Sequence, residues 1–355
     1  MLNLKLKRWG LYRIIIILQS MGNIKVHILL FLSALMLTLI SCSDYNRIVK
    51  DDNYKEKLSK AEDLFRENSF NRALVLYEQV YQRHPSDEMG ETSYFKLGLT
   101  YFKQEDYYMA AYYFGNFPRR FPRSDKVQDA MYYSALATFH TSPSHTLDQE
   151  DTELALNELQ AYVSQFPNSR RVDTCNVLMD ELRKKLEDKA WDGVKMYDRM
   201  SKYNAAVYSA RAFLEDFPTT DRKLEAAFLM MKNAFVLAEK SVFSKRKDRY
   251  QKVIDMYDIY QDDFQVSKFV GEAFTLYEKA QKGLDEVDEQ VTFEEIESLY
   301  NKAQRSSTAK KSEYLEETLR LYYNFAQKYP NSEYMSRAEE IFRRAEREKQ
   351  STYSY

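Results

Sequence analysis

Four residue types that usually interrupt helices or build chemical sites are scarce in this chain: Gly (8), Pro (7), Cys (2) and His (4) among 355 residues. So few glycines and prolines argue against many short strands and turns and for long helices. Two cysteines exclude a disulfide framework. His27, His84, His140 and His145 lack the Cys and His spacing of a zinc site. Lys and Arg number 52 against 54 Asp and Glu, so no basic excess marks a nucleic-acid surface. There is no Gly-rich phosphate loop, no Gly-x-Ser-x-Gly elbow and no metalloprotease helix motif. The carboxylates alternate with Lys and Arg at helical surface spacing, which reads as a solvated face rather than as acid–base machinery. No enzyme activity, metal or diffusible cofactor is expected.

Aromatics are plentiful instead, with 29 Tyr and 21 Phe. The N-terminal region carries a targeting signal. Met21-Gly-Asn-Ile-Lys-Val-His is weakly basic, Ile28–Ile40 is an apolar run, and Ser41-Cys42 follows it. The run is shorter than the roughly 20 apolar residues of a permanent span. Leu39-Ile40-Ser41-Cys42 resembles the lipobox of bacterial lipoproteins, in which the cysteine is acylated and the preceding peptide removed. Residues 1–41 are therefore read as a signal peptide, with Met21 the favoured start, and Cys42 as the lipidation site. A plain buried or disulfide-bonded Cys42 is the alternative, with Cys175 its sole possible partner. Removal of Lys5, Lys7, Arg8, Arg13 and Lys25 takes the formal charge from −2 to −7. Several acyl chains anchor a protein stably, and Ser43 after the cysteine resembles an outer-membrane sorting context.

The body is a repeat. Glu91–Ser124 places Tyr94, Leu97, Gly98, Tyr101, Tyr107, Ala110, Phe114 and Pro122 at the diagnostic positions of a tetratricopeptide repeat. Small residues sit where two antiparallel helices cross, aromatics fill the gaps, and the proline stops the second helix. Tyr54–Asp87 repeats the pattern with Ala61, Leu64, Phe70, Ala73, Tyr77 and Pro85 around a Glu67-Asn68-Ser69 turn. The same spacing recurs from Ala155 to Pro167, Ala206 to Pro218 and Thr318 to Pro330, while Val253 to Gln265 keeps register without the proline. An aromatic precedes each of these sites (Phe121, Phe166, Phe217, Phe264, Tyr329), and Ser124, Ser169, Thr220, Ser267 and Ser332 follow, placed to cap the next helix.

The expected fold is all-α, a right-handed solenoid of about five to six tetratricopeptide repeats. Its expected parts are a lipidated polar tether over 42–53, a five-repeat body over 54–284 and a helical extension with one repeat-like hairpin over 285–355. Within it, Thr141–Glu150 reads as an inserted loop, Arg170–Met200 as one long or twice-broken helix, and the fifth repeat as having a lengthened turn. Val266–Leu284 reads as a capping helix, and Leu284-Asp285-Glu286-Val287-Asp288-Glu289 as an acidic break before a loosely joined tail.

What remains for function is surface shape. The first helix of each pair is expected to line a groove, through Leu58, Glu62, Phe65 and Arg66 in the first repeat and Phe95, Leu99, Phe102 and Lys103 in the second. An apolar groove with a cation suits an extended or helical peptide with aromatic side chains and a carboxylate end. Packing of Phe95 and Phe102 against the next hairpin is the competing reading.

The lipobox, the immediate entry into repeats, and three stretches together resemble the BamD family of outer-membrane β-barrel assembly lipoproteins, in its Bacteroidetes form. Those stretches are Tyr107-Tyr108-Met109-Ala110-Ala111-Tyr112-Tyr113-Phe114, the insert with Ser142-Pro143-Ser144 and Leu147-Asp148-Gln149, and Phe166-Pro167-Asn168-Ser169. The likeness covers about Cys42–Leu284. It implies an outer-membrane scaffold on the periplasmic face that holds the barrel insertase (BamA-like) by its periplasmic domain, through the later repeats around Arg211–Thr220 and Lys245–Gln261. It also implies that the first repeats read the C-terminal signal strand of unfolded barrel proteins. The other readings are a repeat lipoprotein that coordinates envelope or peptidoglycan processes, or one that binds carbohydrate for uptake. An early start of the repeats and the presence of only Trp9 and Trp191 speak against both.

Overall fold

The computed structural model describes residues 44–352, so the signal segment, Leu39, Ile40, Ser41 and Cys42 lie outside the described residues. Every regular element described is a helix, and the chain forms two compact units, one ending at Lys185 and one beginning at Leu186. The fold is the all-α tetratricopeptide-type helix-pair solenoid.

The first unit opens on a short helix over residues 44–50 (α1). Three hairpins follow: α2 (Tyr54–Arg66) with α3 (Phe70–Arg83), α4 (Glu88–Lys103) with α5 (Tyr107–Arg120), and α6 (Val127–Thr141) with α7 (Glu150–Gln165), each helix packed on the next. Two of the turns reverse the chain in three residues. Asn68 (φ 58°) and Glu105 (φ 62°) take the left-handed conformation to do so, which disfavours a residue such as Glu more than Asn. Gly98 sits at the α4–α5 crossing: a Cβ there would lie 3.1 Å from the ring of Phe114. The absent side chain makes room for a fully buried ring, burial that contributes about 2–3 kcal/mol.

The prolines act through the residue before them. His84, Phe121, Phe166, Phe217 and Tyr329 all end their helices with φ between −131° and −122° and ψ between 60° and 64°. A following proline ring disfavours the helical conformation at each. Each still donates its amide to the carbonyl four residues back, such as Phe121 to Phe117 at 2.9 Å. The chain then re-enters a helix through a Ser or Thr hydroxyl that accepts the amide two residues on: Ser124 from Lys126 (3.1 Å), Ser169 from Arg171 (3.3 Å) and Thr220 from Arg222 (3.1 Å). At Gln265 the proline is missing, Phe264 stays helical, and the helix ends at Val266 instead.

α8 (Val172–Arg199) is a single 28-residue helix; Cys175, Met179 and Leu182 join the core of the first unit, Trp191 and Val194 that of the second. The second unit continues with α9 (Tyr203–Asp216), α10 (Lys223–Glu239), α11 (Phe243–Gln265), α12 (Val270–Gln304), α13 (Thr308–Lys328) and α14 (Met335–Thr352).

Four expectations need correction. The lengthened turn of the fifth repeat is instead a lengthened helix, since α11 runs 23 residues and only 240–242 separate it from α10. The acidic stretch from Leu284 does not break anything, because α12 is one 35-residue helix through it. Ala280, Leu284 and Val287 keep helical spacing and face the α10–α11 core, so the acids between them merely occupy the outer face. The tail is therefore not loosely joined: α12 carries on to bury Phe293 and Ile296 against Phe325 and Ala338 of the last hairpin. Finally, part of the supposed polar tether is α1, and its Ile48 is only 3% exposed against Ala61, Leu64 and Leu76.

Candidate functional site

Five of the eight groove positions pack against two cores. Leu58 and Phe65 are half-buried beside the first-hairpin cluster, where Phe65 meets the Phe70 ring at 5.7 Å and carries the Lys96 ammonium 5.1 Å above its face. Phe95, Leu99 and Phe102 flank the second cluster. Phe95 lies edge-on to Phe114 (5.3 Å) and Phe117 (5.5 Å), and Phe102 edge-on to Tyr107 (5.4 Å). Both also touch Tyr133 of α6, at 6.5 and 5.5 Å. These rings thus form the seam between consecutive hairpins, and part of each remains open to solvent. Glu62 is half-exposed, whereas Arg66 and Lys103 are exposed. Arg66 is engaged by Asp63 at 2.5 Å.

The seam ends on His140, stacked on Tyr107 at 4.4 Å and edge-on to Phe102 at 6.0 Å. Burial among these rings lowers the imidazole pKa from its ordinary value, against the opposing pull of Glu105 and Glu181. Cys175 is buried, and burial pushes its thiol up. For the thiol, burial outweighs the opposing pull of Arg171, which works against the reactive thiolate. Among the described residues no three His, Cys, Asp or Glu side chains gather as a metal site. No described helix is long and apolar enough to cross a membrane.

Two clefts occupy the same place in the repeat, each between the second helices of neighbouring hairpins with a first helix as floor. In the first unit a cleft of about 300 Å³ opens between α5 and α7 over α6 and is mainly apolar, with Phe114, Pro118, Met131 and Ala161 on its walls. Pro118 has no amide to offer the Phe114 carbonyl. The Glu158 carboxylate on its wall accepts from Ser134 (3.0 Å) and Thr138 (3.1 Å). In the second unit a cleft of about 240 Å³ opens between α9 and α11 over α10. It is basic, with Arg211, Arg249 and Lys252 around Val207, Tyr208 and Met256. Tyr208 is 76% exposed at its rim. Of the segments around Arg211–Thr220 and Lys245–Gln261, Arg211 of the first and Arg249, Lys252 and Met256 of the second line this cleft. Tyr208 went unnoticed because a lone exposed tyrosine within a repeat has no signature of its own.

Stacked helix pairs with two shallow clefts of contrasting polarity make this a tetratricopeptide-type helix-pair repeat protein. The outer membrane lipoprotein family YfiO matches residues 50–250, and this chain belongs to that family. Relatives carrying the name outer membrane protein assembly factor BamD occur in Neisseria gonorrhoeae (24% identical, 64% of this chain and 85% of the relative) and Neisseria meningitidis serogroup B (23% identical, 67% and 91%). A third, from Caulobacter vibrioides, is 24% identical over 49% of this chain, which spans 57% of that relative's length. The family match ends inside α11, so α12–α14 lie beyond it.

Proposed function

We propose that this protein is a lipid-anchored scaffold of the outer-membrane β-barrel assembly machinery, tethered through Cys42 on the periplasmic face. The observation that carries the reading is the family match, which covers the whole first-unit cleft and the second-unit cleft up to the first turns of α11. The basic second-unit cleft suits acidic side chains on the periplasmic domain of a barrel insertase. The half-open aromatic seam of Phe65, Phe95 and Phe102, bordered by Arg66 and Lys103, suits the C-terminal strand of an unfolded barrel protein. Such a strand alternates side chains with period two and ends in a carboxylate. Catalysis has no place in this reading: the protein positions other chains.

Affinity purification from membranes of the native host tests it. A large β-barrel protein with periplasmic repeat domains should be recovered with the wild-type protein and depleted with Arg211→Glu/Lys252→Glu. Recovery of sugar transporters or wall enzymes alone would contradict the assignment. Cys42→Ala should release the protein from membranes, and unchanged attachment would remove the lipid anchor from the account.

A further inference from the structure

Between a lipid anchor and a folded body a flexible linker is the ordinary arrangement, and here the chain has a docked helix instead. Ile48 of α1 is buried in the first-hairpin cluster. Tyr45 donates to the carbonyl of Arg72 at 3.3 Å, and the Arg72 guanidinium lies 4.4 Å from its ring. Lys57, only 4% exposed, donates to the Val49 carbonyl at 2.9 Å and to Gln79 Oε1 at 2.6 Å. A buried lysine thereby satisfies a carbonyl at the C-terminal end of α1, where a cation is favoured.

These contacts fix a direction. Tyr45, at the start of α1, meets Arg72 at the start of α3, whereas Val49 shares Lys57 with Gln79, further along α3. The N-terminus of α1 therefore lies beside the α2–α3 turn at residues 67–69. The α4–α5 turn is at the same end, since Gln104 donates to Asn71 at 2.7 Å. Only Ser43 separates Cys42 from the first described residue of α1, Asp44. Two residue steps reach about 7–8 Å at most.

We propose that α1 is a rigid strap that holds the turn end of the first hairpin against the lipid surface. The inference rests on Cys42 carrying the lipid. The other end of the hairpin, at Arg83, is about 20 Å away along α3, a 14-residue helix. A free tether over residues 43–53 would span about 17–20 Å on average and favour neither end.

The test uses the full lipidated protein in vesicles containing a headgroup-quencher lipid, with a fluorophore on Glu67→Cys or Arg83→Cys. Cys175 is buried and stays unlabelled. Quenching should be at least threefold stronger at 67 than at 83, and Ile48→Asp or the milder Lys57→Met should equalise the two. Equal quenching in the otherwise wild-type protein, or a difference that survives both substitutions, would overturn the strap. If the protein does not float with vesicles, the lipid reading fails by itself. The strap is then read by trypsin on Cys42→Ala. Cleavage at Arg47 and Lys50 should be at least tenfold slower than when Ile48→Asp is added, and equal rates would overturn it.

Discussion

The two units use one repeat in different ways. In the first, hairpins are short, prolines cut each second helix at the same place, and the core is a run of aromatic contacts through Tyr94, Phe114, Phe117 and Tyr133. In the second, α11, α12 and α13 run 23, 35 and 21 residues, and the core around α10 is built from Ala226, Ala227, Met230, Met231 and Ala234. Proline fixes where a second helix ends and not how long it is: α13 stops before Pro330 although it runs 21 residues, and α11 owes its length to an early start at Phe243. Where Gln265 replaces proline the cap moves two residues on, to Val266, and the following helix passes through the fifth repeat into the last hairpin.

The largest expected effect is on the aromatic unit. Phe114→Ala should cost about 3–5 kcal/mol, because a fully buried ring is lost beside a glycine that cannot fill the space. Hydrogen exchange should show the loss in residues 88–141 and leave 223–304 protected; equal loss in both would mean that the units unfold together. Next comes the second unit, where a Cβ at Gly283 would lie 2.5 Å from the Tyr250 ring, itself buried and bonded to Glu239. Gly283→Val should cost about 1–3 kcal/mol by overpacking, and protection should fall in α11 and α12 alone. A gain is expected from Glu105→Gly, which relieves a left-handed glutamate and should raise the urea midpoint by the equivalent of about 0.5–1 kcal/mol. Loss of stability would show that the Glu105 side chain matters more than its backbone.

The smallest effect is a pH dependence confined to the seam. The folded state holds His140 below its ordinary pKa of 6.5, so its contribution is complete above 6.5 and is lost as pH falls through the lower, folded value. Stability of the first unit should therefore drop between pH 7.5 and 5.5. His140→Phe, which keeps the stack on Tyr107, should flatten that drop, and an unchanged drop would point to other groups.

Much of this was legible in the sequence because prolines and the aromatics before them mark helix ends by local sterics alone. Asn68 and the Ser and Thr caps work the same way. What was not legible needed neighbours. α1 offers just Tyr45, Ile48 and Val49 at helical spacing, too few to outweigh a polar stretch until the first hairpin buries Ile48. The acids at 285–289 hid a helix whose apolar positions are satisfied by two separate cores. Phe95 and Phe102 lie seven residues apart on α4, but their contact with Tyr133 depends on the next hairpin, which decides how much of each ring is left open.

Depletion of the protein in its native host tests the central claim most directly, with folded outer-membrane β-barrel proteins measured by their heat-modifiable migration. The account predicts a severalfold fall in folded barrels while surface-exposed lipoproteins stay at their normal level. Unchanged barrel levels on depletion would contradict it.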